Sequence, residues 1–135
     1  MGGDRIILDS SAVSALAAEE GRLRIALRKA VVSGAAILVP APVVTETTSG
    51  SGPRDARVNQ VLKSCMVIAL DEALARAAGA LRYRRPGAGA IDAMVVACAD
   101  VVPDSIIITG DSGDLKLLAD ERRRSIVSDL NQVRP

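Results

Sequence analysis

Arg5-Ile6-Ile7-Leu8-Asp9-Ser10-Ser11 is the stretch that decides the fold. Its apolar run is too short for a helix and ends on a carboxylate, so it reads as a buried strand. A helix is expected to begin at once, near Ser10 or Ser11, with the Ser pair as candidate N-cap. A strand that is apolar on both faces needs cover on both faces, which points to a parallel sheet between helices rather than to a one-sided antiparallel one.

The rest of the chain extends that unit. Leu23, Ala26, Leu27, Ala30 and Val31 recur at helical spacing among Arg22, Arg24, Arg28 and Lys29, and Gly34 ends this second helix. Ala36 to Val39 reads as another buried strand, and Pro40 and Pro42 lead into a short helix carrying Val43, Val44 and Glu46. Ser49-Gly50-Ser51-Gly52-Pro53 is expected to be a flexible surface loop, too short to separate two domains. A helix over Arg54–Ser64, a strand over Met66–Leu70 and an Ala-rich helix over Asp71–Arg85, capped by Asp71, follow. After the Pro86-Gly87-Ala88-Gly89 break come a helix over Ile91–Val102, a strand over Ser105–Ile108, a helix over Ser112–Ala119 and a strand over Ser125–Val127. The alternation predicts an α/β fold with a central, mainly parallel sheet and helices on both faces. There is no internal repeat, and 135 residues suit one domain, 1–135.

Composition narrows the chemistry. The chain has no histidine, which removes Ser-His-Asp and Cys-His hydrolysis and histidine-ligated zinc. Cys65 and Cys98 sit in apolar surroundings without CxxC spacing and read as free buried thiols. Tyr83 is the one aromatic residue, so platforms of several base-stacking rings are excluded. The net charge of +1 does not by itself indicate nucleic acid, although 14 of the 17 basic residues are Arg, the side chain suited to bidentate phosphate contacts. Apolar runs fall far short of the roughly 20 residues that span a bilayer, so a cytoplasmic protein without a membrane partner is expected.

What remains is carboxylate chemistry. Asp9, Glu46, Asp92 and Asp111 interrupt or end apolar segments, where carboxylates kept for solubility are uncommon. Asp9 and Asp111 follow strands, the position at which open α/β sheets collect functional residues, and Glu46 and Asp92 lie on the helices after them. Four such groups brought together would repel one another without a cation. Mg²⁺ or Mn²⁺ prefers oxygen ligands, and two such ions support phosphodiester hydrolysis without histidine. Around Ile108-Thr109-Gly110-Asp111-Ser112-Gly113-Asp114, Asp114 is placed to be a further ligand or to complement a helix dipole. The hydroxyls of Ser10, Ser11 and Thr109 are candidates for orienting Asp111 or a metal-bound water.

With these residues in view, the chain resembles a PIN-domain ribonuclease. Ile7-Leu8-Asp9-Ser10-Ser11 is similar to the family's first motif and Val39-Pro40-Ala41-Pro42-Val43-Val44-Thr45-Glu46 to its second. Asp92-Ala93-Met94-Val95-Val96-Ala97-Cys98-Ala99 resembles the third, and Ile108-Thr109-Gly110-Asp111-Ser112-Gly113-Asp114 the fourth. In size the chain looks like the VapC-type toxins of bacterial toxin–antitoxin pairs. The resemblance implies a sheet of order 3-2-1-4-5, a Mg²⁺ or Mn²⁺ site formed by Asp9, Glu46, Asp92 and Asp111, RNA as substrate, homodimerisation, and inhibition by a cognate antitoxin.

Each acid also has a purely structural role open to it: Asp9 as a helix cap, Glu46 as an exposed helical residue, Asp92 as a charge at a helix N-terminus. Arg82 and Arg85, in the basic run before Pro86, are candidates for RNA phosphates, as are Arg54 and Arg57, while Arg122-Arg123-Arg124 reads as a solvated turn. Two rival functions are a non-catalytic PIN-like module that binds RNA or protein, and a phosphoacceptor receiver-like domain. The second would need an acceptor Asp after a central strand, for which Asp71 is the candidate, and a Lys after a late strand, where Lys116 instead falls within an expected helix.

Overall fold

A computed structural model describes residues 5–19, 21–109 and 126–129, the last segment by its backbone alone. The strands β1 (Arg5–Leu8), β2 (Ala36–Pro40), β3 (Met66–Ile68), β4 (Ser105–Thr109) and β5 (Ile126–Asp129) form one sheet. Its order is β3-β2-β1-β4-β5 with every pair parallel, as the resemblance implies. Six described helices accompany it: α1 (Ser10–Ala17), α2 (Gly21–Val32), α3 (Ala41–Thr47), α4 (Gly52–Lys63), α5 (Glu72–Arg84) and α6 (Ala90–Val101). The expected helix over Ser112–Ala119 lies outside the described residues.

The central strands are buried because helices cover them. Ile7 and Leu8 of β1, Val39 of β2 and Ile107 of β4 have no exposed surface. Burying each such side chain contributes about 1.5–3 kcal/mol. Helix α6 buries Ala93 and the run from Val95 to Ala99, so it is apolar around much of its circumference. Its small side chains let it lie close to the sheet, α3 and α5. Gly34, at φ 101°, closes α2: Ala35 N–H donates to Ala30 O at 2.9 Å across the left-handed turn that Gly adopts without steric cost.

Three expectations change. The N-cap of α1 is Asp9, and Ser10 is already helical, because the carboxylate reaches the Ala12 N–H at 2.9 Å. Strand β3 stops at Ile68, short of the expected Leu70, and as the sheet's edge, where the implied order places it, leaves Met66 63% and Val67 46% exposed. The segment after α3 is an organised turn. The Asp55 carboxylate, 7% exposed in the first turn of α4, accepts from Ser49 N–H (2.9 Å), Ser49 Oγ (2.8 Å) and Gly50 N–H (2.9 Å). Helix α4 accordingly begins at Gly52, ahead of the expected Arg54.

Candidate functional site

In a parallel sheet all strands end on one edge, and the candidate acids are read from there. Asp9 sits where β1 becomes α1 and takes part in both elements. Its N–H continues the β1–β4 ladder to Ile108 O (3.3 Å), and its C=O accepts the first helical bond from Val13 (3.0 Å). The backbone thus fixes the position, and the side chain is 3% exposed. Oδ1 accepts from Ala12 N–H (2.9 Å) and Ser11 Oγ (2.7 Å), and Oδ2 accepts from the Thr109 hydroxyl. Ser11 and Thr109 hydroxyls lie 3.3 Å apart, forming one polar cluster with the carboxylate at its centre.

Glu46 reaches the same neighbourhood from β2. Helix α3 starts directly at the end of that strand, with Pro at its first turn where no N–H is missed, and Glu46 lies in its last turn. The Ser10 hydroxyl donates to Glu46 Oε1, tying α3 to the first residue of α1. Asp92 lies in the first turn of α6. That helix leads through Val102, Pro103 and Asp104 to the start of β4, so its other end faces the carboxyl edge of the sheet. Ile91 and Met94, which flank Asp92, line a pocket with Ala41, Pro42 and Thr45 of α3.

The structure therefore sets Asp9, Glu46 and Asp92 along one edge and links the first two through Ser10. Asp111 and Asp114 lie outside the described residues. Among the described residues, no group of three or more His, Cys, Asp or Glu is arranged to hold a metal ion. The donor chemistry still suits a hard cation: the groups at this edge are carboxylate and hydroxyl oxygens. Neither cysteine offers a ready thiolate ligand. Cys98 is buried in α6 and Cys65 half-buried after α4, and burial pushes both thiols up to about 11. Both cysteines are free, as expected.

The hydroxyls act on partners other than those expected. The sequence suggests Asp111 or a bound water; among the described contacts Ser10 serves Glu46, and Ser11 and Thr109 serve Asp9. The structural role weighed for Asp9 is real as well, since the carboxylate caps α1 while standing at the site. Arg82 is exposed, and its Nε donates to Ala88 O (3.5 Å) over the turn that leads to Asp92. Arg85 is half-buried in that turn and Arg54 is exposed at the start of α4. Arg57 lines a groove with Arg24 and Arg28 of α2, which removes it from the acidic edge. Arg122, Arg123 and Arg124 lie outside the described residues. Asp55, after Asp9 the most buried acid among the described residues, carries no sequence signal: the Gly-Ser stretch before it reads as loop, and only the folded turn reveals that its N–H groups need an acceptor.

Asp71 follows the edge strand β3 and caps α5 through Leu74 N–H at 2.8 Å, so it is not an acceptor Asp after a central strand, the part a receiver-like reading gave it. Lys116 lies outside the described residues.

A five-stranded parallel α/β sheet with acids set along its carboxyl edge defines the class of the molecule. The chain belongs to the PIN domain family, whose model matches residues 6–121. No curated protein matches the sequence. Solved structures share the fold at low identity. A chain of VapBC2 from Rickettsia felis, bound to a DNA fragment from its promoter, matches at TM-score 0.73 and 11% identity, over 93% of this chain and 98% of that one. A chain of VapBC-1 from nontypeable Haemophilus influenzae matches at 0.68 and 13%, and one of DNA-bound VapBC from Salmonella typhimurium at 0.69 and 13%. Each of these covers 94% of this chain and 98% of the other. Among the described residues, no helix is long and apolar enough to cross a membrane.

Proposed function

We propose that the protein is a Mg²⁺- or Mn²⁺-dependent endoribonuclease, one domain acting in the cytoplasm as the toxin of a toxin–antitoxin pair. The observation that carries this reading is the Asp9 carboxylate. It is buried at the carboxyl edge of β1 among the hydroxyls of Ser11 and Thr109, with Glu46 anchored next to it by Ser10. A buried charge is costly unless it is matched, and a site that holds its carboxylates rigid suits a cation. Asp9, Glu46, Asp92 and Asp111 are the residues proposed to hold the metal, with Asp114 a further candidate. When bound, such an ion supplies an activated water and offsets charge on the scissile phosphate. The chain's own contribution is orientation: the backbone of Asp9 is fixed by sheet and helix together, and Ser10, Ser11 and Thr109 set the carboxylate planes.

Arg82, Arg85 and Arg54 are proposed to hold RNA phosphates flanking the cut. The partner reading draws on the VapBC complexes that share the fold and on the surface of the early helices. Between α1, α2 and α4 runs a groove of about 570 Å³, with Leu27, Val31 and Ile37 in its wall. Val32 and Ile25 on α2 are exposed at 83% and 47%. We assign such apolar surface to the antitoxin or to the homodimer. The test is incubation of the purified protein with total RNA, with and without Mg²⁺, and mapping of the 5′ ends. Discrete, Mg²⁺-dependent ends are expected. RNA left intact under both conditions would favour the non-catalytic binding module.

A further inference from the structure

Tyr83 is the only aromatic residue of the chain, and the fold makes no use of its ring. It is 88% exposed, on the face of α5 opposite the buried Ala78 and Leu81. A tyrosine that packs buries 150–250 Å², so leaving the one available ring in water forgoes a large packing contribution. The helical neighbours that could lie across it are Gly79 and Ala80, four and three positions earlier. Neither is tall enough to do so, and a Cβ placed on Gly79 would meet nothing within 4 Å. Arg76, a further turn back, is engaged with Glu72 at 2.7 Å. The face of the ring is open.

Its surroundings are basic. Arg82 and Arg84, exposed on either side of Tyr83, are the charged residues of the last turn of α5. The turn that follows leads into α6 and Asp92. Arg82 Nε donates to Ala88 O within it, and a Cβ on Gly89 would lie 3.6 Å from Asp92 Oδ2. An open aromatic face between two guanidinium groups, beside the acidic edge, matches single-stranded RNA, whose unpaired bases offer π faces at intervals along a charged backbone.

We propose that Tyr83 is a base-stacking residue: its ring takes one unpaired base of the RNA, and Arg82 and Arg84 meet the phosphates on either side. One ring cannot build a platform of several bases, but it can fix the register of a strand against the site. The inference rests on the ribonuclease reading.

Because the chain has no Trp, Tyr83 is also its only strong intrinsic fluorophore. The wild-type protein in EDTA, which holds cleavage off, is titrated with an end-labelled single-stranded oligoribonucleotide. Label anisotropy and tyrosine emission are read together. Saturable quenching is expected at the concentrations where anisotropy rises, and a fully paired duplex should leave the emission unchanged. Tyr83→Leu should bind about tenfold more weakly, with Tyr83→Phe close to wild type. If anisotropy reports binding while emission stays constant and Tyr83→Leu binds normally, stacking is overturned and the ribonuclease reading stands. If the protein neither binds nor, with Mg²⁺, cleaves RNA, both fall. Emission that changes with protein concentration alone places the ring in a contact between copies and overturns the proposal.

Discussion

Thr109, the last residue of β4, donates its hydroxyl to Oδ2 of Asp9, the residue after β1, across 100 positions of sequence. The register brings them together: Leu8 pairs with Ile108, so the next residue on each strand arrives at the same place on the carboxyl edge. With Ser11 on Oδ1, the carboxylate is gripped on both oxygens by side chains from two elements.

Thr109→Val keeps the shape of the side chain and removes the bond. We expect metal affinity or cleavage rate to fall about 10- to 100-fold, as for other groups that orient a metal ligand. Thr109→Ser should retain most of both. Calorimetric titration with Mn²⁺ and RNA cleavage assays check this, and a Val variant with wild-type affinity and rate would leave the hydroxyl a packing role alone.

Asp9 has two duties that substitutions can separate. Asp9→Asn retains an oxygen that can accept from Ala12 N–H, so the cap survives while the charge is lost. Asp9→Ala loses both, and the missing cap costs about 1 kcal/mol more. Metal-dependent RNA cleavage should vanish in both variants, and thermal unfolding should show the Ala variant as the less stable. Full activity in a well-folded Asp9→Asn protein would sink the proposed site.

What the sequence made legible followed from local chemistry. The unbroken apolar runs at Ile6–Leu8 and Ile37–Val39 forced burial on both faces, and with it a parallel sheet, which is what the structure has. Asp9 could be found because a carboxylate ends such a run. The edge position of β3 was not legible in its own residues, since Met66-Val67-Ile68 is as apolar as an interior strand; it came with the family resemblance, whose implied order puts strand 3 outermost. Nor was the division of the serines legible, because Ser10 and Ser11 are alike until the helix turns one toward Glu46 and the other toward Asp9. Asp55 was hidden for a related reason: apart from the Ser49 hydroxyl its partners are backbone N–H groups, which carry no sequence signature.

Asp55 makes a prediction about pH. Its carboxyl is held below the usual aspartate range, first by the Ser49 N–H and then by the Ser49 hydroxyl, with Gly50 N–H and the Arg54 charge adding to this and burial opposing it. A group whose pKa is lower folded than unfolded stabilises the fold above its unfolded value of about 3.9, and that contribution is lost as pH falls through the folded one. Asp55→Asn should therefore melt below the wild type at neutral pH. The gap should close on acidification below about pH 4. Melting temperatures of the two proteins across pH 3 to 7 test it, and a gap that is constant with pH would show that charge is not the cause.

The arginines separate by position, and salt reads the separation. Arg82 and Arg85 stand at the turn before Asp92, whereas Arg57 lines the groove against α2 on another part of the surface. Each phosphate neutralised on a single strand contributes about 0.7 to the slope of log affinity against log salt, because binding releases counterions. Arg82→Ala and Arg85→Ala should each make that slope shallower by about this amount and weaken binding across RNA sequences alike. Arg57→Ala should leave the slope unchanged, since its guanidinium faces a surface proposed for protein rather than RNA. Anisotropy titrations of one labelled RNA at several salt concentrations give all three slopes. A shallower slope for Arg57→Ala with none for Arg82→Ala or Arg85→Ala would move the RNA path from the α5–α6 turn to the groove.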